Sequence, residues 1–330
     1  MPEADDPKNF AAAIVAGDRR ALARAITLIE SRRSDQQDQG QAILDCLVGE
    51  TGRGVRVGIT GPPGVGKSTF IESLGQHVLE AGSRLAVLAV DPSSPVTGGS
   101  ILGDKTRMER LATAPNAFVR PSPSGGSLGG VAGRTREAML LCEAAGYDVI
   151  LIETVGIGQS EVAVHSMVDF FLVLLLPAGG DELQGIKRGV MELADAVVVN
   201  KADGDTLPAA ERTRQDYENA LGLLRPPSLA WRPTALMTSA LTGHGIPEVW
   251  ETVQRQRNAL EASGEFEDRR RRQARDWMWS LIEQGLRTAL GADPLIARRA
   301  EALEQAVQDR EKTPSSAARA LLADFLPPQT

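Results

Sequence analysis

The segment GPPGVGKST, residues 61–69, has the composition of a phosphate-binding loop. It fits the pattern G-x-x-x-x-G-K-[ST] and lies between the apolar run VRVGIT and the helical run FIESLGQHVLEAG, which is the context that the motif requires. Its backbone N–H groups can surround phosphate oxygens at the start of a helix. Lys67 would neutralise the β- and γ-phosphates, and Ser68 would bind Mg²⁺. The predicted nucleotide-binding residues of this loop are Gly61, Pro62, Pro63, Gly64, Val65, Gly66, Lys67, Ser68 and Thr69.

Two acidic residues follow apolar runs farther along the chain. The run LAVLAVD ends in Asp91, and DVILIE ends in Glu153. Ligands of open α/β sheets gather at the carboxyl ends of the strands, and Mg²⁺ prefers oxygen ligands. We therefore predict that Asp91 and Glu153 lie near the metal together with Ser68. Gly156, three residues after Glu153, would contact the γ-phosphate through its backbone N–H.

A second motif indicates which base is bound. AVVVNKAD places Asn200, Lys201 and Asp203 after an apolar run, as in the N-K-x-D guanine motif. One carboxylate can accept hydrogen bonds from both N1–H and the 2-amino group of guanine, whereas adenine lacks this pair of donors. In the later segment TALMTSALTGHG, a short loop is predicted to contact the face of the base through Ser239, Ala240 and Leu241. The expected ligands are GTP or GDP and Mg²⁺.

Two polar, glycine-rich segments are candidate switches. In residues 91–111, Asp104 could supply a further carboxylate to Mg²⁺. Lys105 or Arg107 could supply a cation that stabilises the negative charge of the transition state. A solvated loop is the alternative for this segment. The second candidate, PAGGDELQGIKRG at 177–189, has charges and a Gly-Gly hinge that suit a loop facing a partner.

The position that orients the attacking water lacks its usual glutamine. Ile157 follows Gly156 there, and the nearest glutamine is Gln159. We therefore expect hydrolysis to be slow in the isolated protein and to be completed by a conformational change or a partner.

The distribution of apolar residues predicts an α/β protein with a doubly wound, mostly parallel sheet. Six short apolar runs alternate with helix-length segments: VRVGIT, LAVLAV, DVILIE, DFFLVLLL, AVVVN and TALMT. We predict a helical N-terminal extension at 1–54, a nucleotide-binding domain at 55–260 and a helical C-terminal arm at 261–330. Within the arm, apolar residues recur at helical spacing and GADP separates two helices. We expect this arm to form a dimer contact, with docking on its own domain as the alternative.

Composition excludes several classes of protein. The chain has 330 residues, 42% hydrophobic content and a net charge of −7, which argues against a nucleic-acid surface. The arginine run 269–272 is accordingly predicted to be a solvated helix face. DFFLVLLLP is too short to cross a membrane, and no targeting segment is visible, so we expect a cytoplasmic protein without membrane attachment. Cys46 and Cys142 are predicted to be core residues in a reducing compartment.

The motifs described above, together with PSPSGGSLGG and ILIETVGIGQSE, resemble the MeaB family of P-loop GTPases, the methylmalonyl-CoA mutase-associated chaperones. The resemblance covers nearly the whole chain. It implies a GTP-dependent chaperone that gates loading of adenosylcobalamin into an acyl-CoA mutase and protects that radical enzyme from inactivation. It also implies a homodimer joined through the C-terminal arm, and a metal surrounded by Asp91, Asp104 and Glu153. The chain has no D-x-H-x-x-G cobalamin pattern, so that cofactor would belong to the partner. Methylmalonyl-, ethylmalonyl- and isobutyryl-type mutases stay open as partners.

Three other functions fit the sequence less well. A nickel metallochaperone GTPase would need a His-rich tract or paired cysteines, and the three histidines here are scattered at His77, His165 and His244. A kinase acting on a transport-system binding protein would usually favour ATP, against the guanine motif. A structural subunit that binds GTP without hydrolysis fits poorly with Lys67, Ser68 and the acidic strand ends.

Overall fold

The computed structural model describes residues 6–31, 33–90, 108–120, 128–154, 160–177, 188–224, 226 and 228–325. The chain divides into two compact units, Met1–Arg270 and Arg271–Thr330. The first unit contains the sheet, and the second contains only helices in its described residues.

The first unit is built on a parallel sheet. Its strands are β1 (Val55–Thr60), β2 (Leu85–Val90), β3 (Ala117–Arg120), β4 (Val149–Thr154), β5 (Phe170–Leu175), β6 (Ala196–Val199) and β7 (Thr234–Met237). They lie in the order β3-β2-β4-β1-β5-β6-β7, and every neighbouring pair is parallel. The strand order changes direction around β1, which is where open α/β sheets bind ligands. All six predicted runs became strands, which confirms the predicted fold class.

Helices cover both faces of this sheet. One face packs against α4 (Lys67–Glu80), α5 (Glu109–Thr113) and α10 (Ile246–Ser263), in a core that includes Phe70, Ile71, Leu74, Leu111 and Val249. The other face packs against α6 (Leu128–Ala144), α7 (Ser160–His165), α8 (Arg188–Met191) and α9 (Leu207–Leu223). Burial on both faces explains why the strands are continuous apolar runs rather than alternating ones.

The N-terminal helices belong to the same core. Helices α1 (Pro7–Val15), α2 (Arg19–Glu30) and α3 (Ser34–Leu47) pack on α6. They bury the apolar residues Ile14, Leu22, Ile26, Ile29, Ile43, Leu44 and Leu47. Asp18 caps α2 by accepting hydrogen bonds from the backbone N–H groups of Arg20 and Ala21 at 2.7 and 3.2 Å.

Strand β3 was not predicted. It has four residues, AFVR, and lies at the edge of the sheet, where it pairs only with β2. A run this short has no measurable periodicity, so its conformation comes from the hydrogen bonds of its neighbour.

A close contact brings α7 onto the central strand. A Cβ atom added to Gly58 of β1 would lie 2.8 Å from Cγ1 of Val164, so only glycine fits at this position. Helix α7 begins directly after residues 155–159, the segment predicted to sense the γ-phosphate. Gly58 therefore lets the helix that follows this segment lie directly on the strand that precedes the phosphate loop.

The described C-terminal residues form three helices. Helix α11 (Glu265–Ala292) begins in the first unit, and α12 (Pro294–Gln308) and α13 (Pro314–Phe325) lie in the second. Asp293 of the GADP segment caps α12 through the backbone N–H of Leu295 at 2.8 Å. Large apolar side chains of α11 are exposed, at Met278, Trp279, Leu281, Ile282 and Leu286. No helix in the described part of the chain is long and apolar enough to cross a bilayer.

Two sequence predictions about side-chain exposure hold only in part, since Arg271 and Arg272 are exposed as predicted but the two arginines before them are not. Arg269 and Arg270 do not lie on a solvated face, because they form ion pairs with Asp195 and Asp169, the residues immediately before β6 and β5. These acids lie far from the arginine run in sequence, so local charge pattern could not reveal the pairing. Cys142 is buried as predicted, but Cys46 is exposed because it faces away from the packed side of α3.

The Arg270 ion pair should make a large contribution to stability. Its guanidinium donates to both Asp169 carboxylate oxygens at 2.8 and 2.6 Å, and to the Gly54 carbonyl at 2.6 Å. The side chains of Arg270 and Asp169 are only 9% and 3% exposed. Because Arg270→Met would leave a buried carboxylate without its cation, we expect the free energy of unfolding to fall by about 3–5 kcal/mol in urea titrations.

The control for this variant is Arg257→Met. Both arginines lie over the Phe266 ring, with Cζ of Arg270 at 4.4 Å and Cζ of Arg257 at 5.5 Å from the ring centroid. The ion pair of Arg257 with Glu261, however, is more exposed. Loss of this pair should cost less than about 1 kcal/mol. Equal effects of the two substitutions would contradict a special contribution from the buried pair.

Candidate functional site

The predicted nucleotide-binding segments meet at one edge of the sheet. The strands β1, β4, β6 and β7 are all parallel, so their carboxyl ends lie at the same edge. The phosphate loop follows β1, and Glu153 is the penultimate residue of β4. The two segments of the guanine motif follow β6 and β7. The fold thus brings together residues that are more than a hundred positions apart in sequence.

The phosphate loop has the geometry that its sequence predicts. Gly66 has a φ of 91° and directly precedes α4, which begins at Lys67. A Cβ atom on Gly66 would also lie 3.0 Å from Nδ2 of Asn200, so both conformation and space favour glycine here. This conformation leaves the N-terminus of α4 at the end of the loop, where helix backbone N–H groups can bind an anion.

Lys67 lies across this loop. Its ammonium group donates to the carbonyl oxygens of Gly61 at 2.8 Å and Pro62 at 3.2 Å. Burial lowers the pKa of Lys67, and the nearby charge of Glu153 partly offsets this effect. The ammonium is thus already positioned over the loop, close to the carboxylate of β4.

Ser68 and Glu153 are brought together as predicted. The Ser68 hydroxyl donates to Oε1 of Glu153 at 3.3 Å, and Glu153 is buried. Both are hard oxygen donors of the kind that Mg²⁺ prefers, and they converge beside Lys67. The donor chemistry of this pair therefore fits the predicted metal.

Asn200 joins the guanine motif to the phosphate loop. Its buried side chain donates through Nδ2 to the Val65 carbonyl at 2.8 Å. Its Oδ1 accepts from the Thr238 hydroxyl at 3.2 Å and from the Ala240 backbone N–H at 3.1 Å. The guanine motif predicts a contact between Asn200 and the base, whereas in the structure its side chain joins the phosphate loop to the segment after β7.

Asp203 is positioned by Ser239. The Ser239 hydroxyl donates to Oδ2 of Asp203, and it also accepts from the Thr242 backbone N–H at 3.2 Å. Asp203 is half-buried, whereas Ser239 is fully buried. One carboxylate edge is therefore fixed by the protein, in the arrangement that a base-reading acid needs.

The remaining guanine-motif residues differ in exposure. Lys201 has a φ of 59°, and its Cε lies 3.8 Å from the position of a Cβ on Gly66, so its chain runs alongside the phosphate loop. Ala240 is buried, whereas Leu241 is 82% exposed. An apolar side chain this exposed at the end of a binding loop is available to cover a ligand.

Several predicted residues lie outside the described ranges. They are Asp91, Asp104, Lys105, Arg107 and Gly156. The same holds for most of the second candidate switch, 177–189. Their roles stay predictions.

Three threonines at this edge were not predicted from the sequence. The Thr238 hydroxyl donates a hydrogen bond to Asn200. Thr60 and Thr154 are hydrogen-bonded to each other at the ends of β1 and β4. Each lies one position from a predicted site residue, which is the only local signal that the sequence offers. Their partners become visible only when the strands are aligned.

Other metal sites find no support in the described ranges. Within them, no three His, Cys, Asp or Glu side chains are grouped to bind a metal ion. The His165 ring packs edge-on against the Phe171 ring, with 5.7 Å between the ring centroids. Burial lowers the pKa of His165, and the positive charge of Arg269 lowers it further.

Comparison with known proteins decides the family. Residues 22–294 match the family model described as methylmalonyl Co-A mutase-associated GTPase MeaB. The chain belongs to the MeaB family. Members of this family are GTPases, and the chain is accordingly a GTP-hydrolysing enzyme that binds guanine nucleotides.

Individual relatives of the MeaB family agree with this assignment. A Caulobacter vibrioides protein is 57% identical over 313 residues, which cover 94% of this chain and 95% of its own. The Escherichia coli GTPase ArgK is 47% identical, over 95% of this chain and 94% of its own. The mouse methylmalonic aciduria type A homolog, a mitochondrial protein, is 48% identical, over 94% of this chain and 78% of its own.

A solved structure shows the same fold. The crystal structure of a LAO/AO transport system kinase superposes with a TM-score of 0.80 at 38% identity, covering 98% of this chain and 99% of its own. The likeness extends to the whole chain and not to the sheet alone.

Proposed function

We propose that the edge of the sheet described above is the GTP site. Lys67 and the backbone of residues 61–69 would bind the phosphates, and Asp203 would accept hydrogen bonds from guanine. Asn200 would hold the phosphate loop against the segment that follows β7. Ala240 and Leu241 would contact the base. The observation that carries this proposal is the fixed orientation of the Asp203 carboxylate by the Ser239 hydroxyl.

A divalent metal would complete this site. Ser68 and Glu153 would hold Mg²⁺, with Asp91 and Asp104 as further ligands from the segment outside the described residues. The metal would supply positive charge at the β- and γ-phosphates. Lys105, Arg107 and the backbone of Gly156 would act on the same phosphates.

We infer that the GTPase serves an adenosylcobalamin-dependent acyl-CoA mutase. The family model is described by its association with methylmalonyl-CoA mutase, and a mouse relative is named for methylmalonic aciduria. The inferred role is that of a chaperone which couples GTP hydrolysis to loading of the cofactor into the mutase and protects the mutase from inactivation. Ile157 at the water-orienting position supports a slow intrinsic rate that the partner increases.

The functional unit would be a cytoplasmic homodimer. The support lies in the exposed apolar side chains of α11, Met278, Trp279, Leu281, Ile282 and Leu286. Apolar groups at this density on a monomer surface mark a protein contact. A second copy of the arm would remove them from water.

The experiment that tests the chaperone function is GTP hydrolysis by the purified protein with and without methylmalonyl-CoA mutase. We expect the mutase to raise kcat at least about tenfold, since an orienting group in trans is worth more than this in other GTPases. The mutase is tested both with and without bound cobalamin, because a loading chaperone must distinguish the two. An unchanged rate together with no detectable complex would contradict the proposed partner.

The same assay separates hydrolysis from kinase activity, which the name of the LAO/AO structure raises for that protein. With GTP labelled at the γ-phosphate, a GTPase chaperone releases free phosphate. A kinase transfers the label to a protein hydroxyl. Label on the mutase or on an added transport-system binding protein would favour the second function.

A further inference from the structure

Two buried hydroxyl groups lie side by side where the central strands end. Thr60 is the last residue of β1 and Thr154 the last residue of β4, and both are 0% exposed. The Thr154 hydroxyl donates to the Thr60 hydroxyl at 2.8 Å, and it lies 3.5 Å from the Ile59 carbonyl oxygen. The strand register agrees, because Ile59 pairs with Glu153 one position earlier.

The chemistry of this pair is not explained by packing. The same face of β4 carries Ile150 and Ile152, both fully buried in the apolar core. Valine has nearly the shape of threonine and would fill either position without a polar atom. A buried hydroxyl without a partner costs about 1–3 kcal/mol. Among the described residues, the Thr60 hydroxyl is bonded to Thr154, whereas Thr154 also has the Ile59 carbonyl oxygen within reach.

The position of the pair links it to the proposed metal site. Thr60 directly precedes Gly61, where the phosphate loop begins, and Thr154 directly follows Glu153. Successive residues of a strand point to opposite faces. Glu153 therefore points toward α4, where its Oε1 lies 3.3 Å from the Ser68 hydroxyl, while Thr154 fixes the same stretch of backbone from the other face.

We propose that the hydrogen bond between Thr60 and Thr154 positions the Glu153 carboxylate for Mg²⁺. It fixes the end of β4 to the end of β1, and thereby sets the Glu153 carboxylate relative to Ser68. Thr60 and Thr154 are positioning residues that touch neither the metal nor the nucleotide. This inference rests on the proposed Mg²⁺ site.

The test is the Mg²⁺ dependence of GTP hydrolysis by the full chain. Thr154→Val should raise the Mg²⁺ concentration for half-maximal rate about tenfold, the lower end of the effect of residues that orient metal ligands. The KM for GTP at saturating Mg²⁺ should stay near the wild-type value, because the base and phosphate contacts are untouched. Thr154→Ser keeps the hydroxyl and should keep the wild-type Mg²⁺ dependence.

A double variant separates positioning from stability. Thr154→Val alone leaves the Thr60 hydroxyl buried without its partner and should lower the Tm. Thr60→Val combined with Thr154→Val removes both hydroxyls and should recover most of the Tm. If the pair positions Glu153, this double variant still requires about tenfold more Mg²⁺. Wild-type Mg²⁺ dependence in the double variant would overturn the inference.

The matched control is another buried threonine. Thr252 of α10 is 0% exposed, and its hydroxyl donates to the Glu248 carbonyl at 2.7 Å. Thr252→Val should lower the Tm without changing the Mg²⁺ dependence. A shift in Mg²⁺ dependence as large as that of Thr154→Val would show that loss of stability alone explains the effect. Wild-type hydrolysis that needs no Mg²⁺ would overturn the proposed metal site together with this inference, whereas equal Mg²⁺ dependence of wild type and double variant overturns the inference alone.

Discussion

Lys67→Ala is expected to reduce the kcat of GTP hydrolysis by about 100- to 1000-fold, the cost of removing one preorganised group that stabilises developing charge. The ammonium of Lys67 donates hydrogen bonds to the carbonyl oxygens of Gly61 and Pro62 at 2.8 and 3.2 Å, so it is oriented before any nucleotide binds. Without it, the negative charge of the β- and γ-phosphates would face these carbonyl oxygens and Glu153. Nucleotide affinity should therefore fall as well.

The measurement is steady-state release of phosphate, with nucleotide affinity from a fluorescent GTP analogue. Lys8→Ala is the matched control, because Lys8 is an exposed lysine in the first turn of α1. Thermal unfolding of both variants checks that the fold is retained. Near wild-type turnover by Lys67→Ala would remove the phosphate-loop assignment.

Asp203→Asn is expected to change the base preference from guanine to xanthine. The carboxylate can accept from N1–H and the 2-amino group of guanine, whereas an asparagine amide would place a donor against a donor. Xanthine carries a carbonyl at that position and would accept from the amide. We expect GTP affinity to fall at least about a hundredfold, which corresponds to about 3 kcal/mol, because one hydrogen bond to guanine is lost and the other is no longer made to a charged group.

Competition between GTP and XTP for binding measures this change directly. Asp205→Asn removes the same charge from an exposed residue two positions away, in the turn Gly204–Thr206, and should leave the preference unchanged. Ser239→Ala should weaken GTP binding in the same direction but by less, because it removes only the group that orients Asp203. Unchanged GTP preference in Asp203→Asn would refute the proposed base contact.

The sequence predicted well those features that local pattern determines. The phosphate loop has fixed spacing, and the six predicted strands lie in continuous apolar runs, so each carries its own signal. Strand β3 was missed because AFVR contains only three apolar residues before a charged one, and its conformation depends on pairing with β2. The buried ion pairs of Arg269 and Arg270 were missed for a related reason, since each acid is a single residue that precedes a distant strand.

Within the site, too, residues that belong to a motif could be predicted, whereas contacts that depend on strand placement could not. Lys67, Ser68 and Glu153 could be predicted because each has a place in a motif, and the structure brings them together. The position of Asn200 between Val65, Thr238 and Ala240 could not, because it depends on how β1, β6 and β7 are placed in the sheet. The hydroxyl contact between Thr60 and Thr154 likewise exists only through strand register.

The Arg270 ion pair has a consequence for any shortened form of the protein. A chain truncated after residue 260, near the end of α10, would lose both Phe266 and Arg270. It would keep the Asp169 carboxylate among buried groups, where it still accepts a hydrogen bond from the Arg56 backbone N–H of β1 at 2.9 Å. Removal of the arm would then destabilise the nucleotide-binding unit, and loss of GTPase activity could be mistaken for a catalytic role of the arm. Truncation after the first turns of α11 would avoid this, because it keeps the cation that neutralises Asp169.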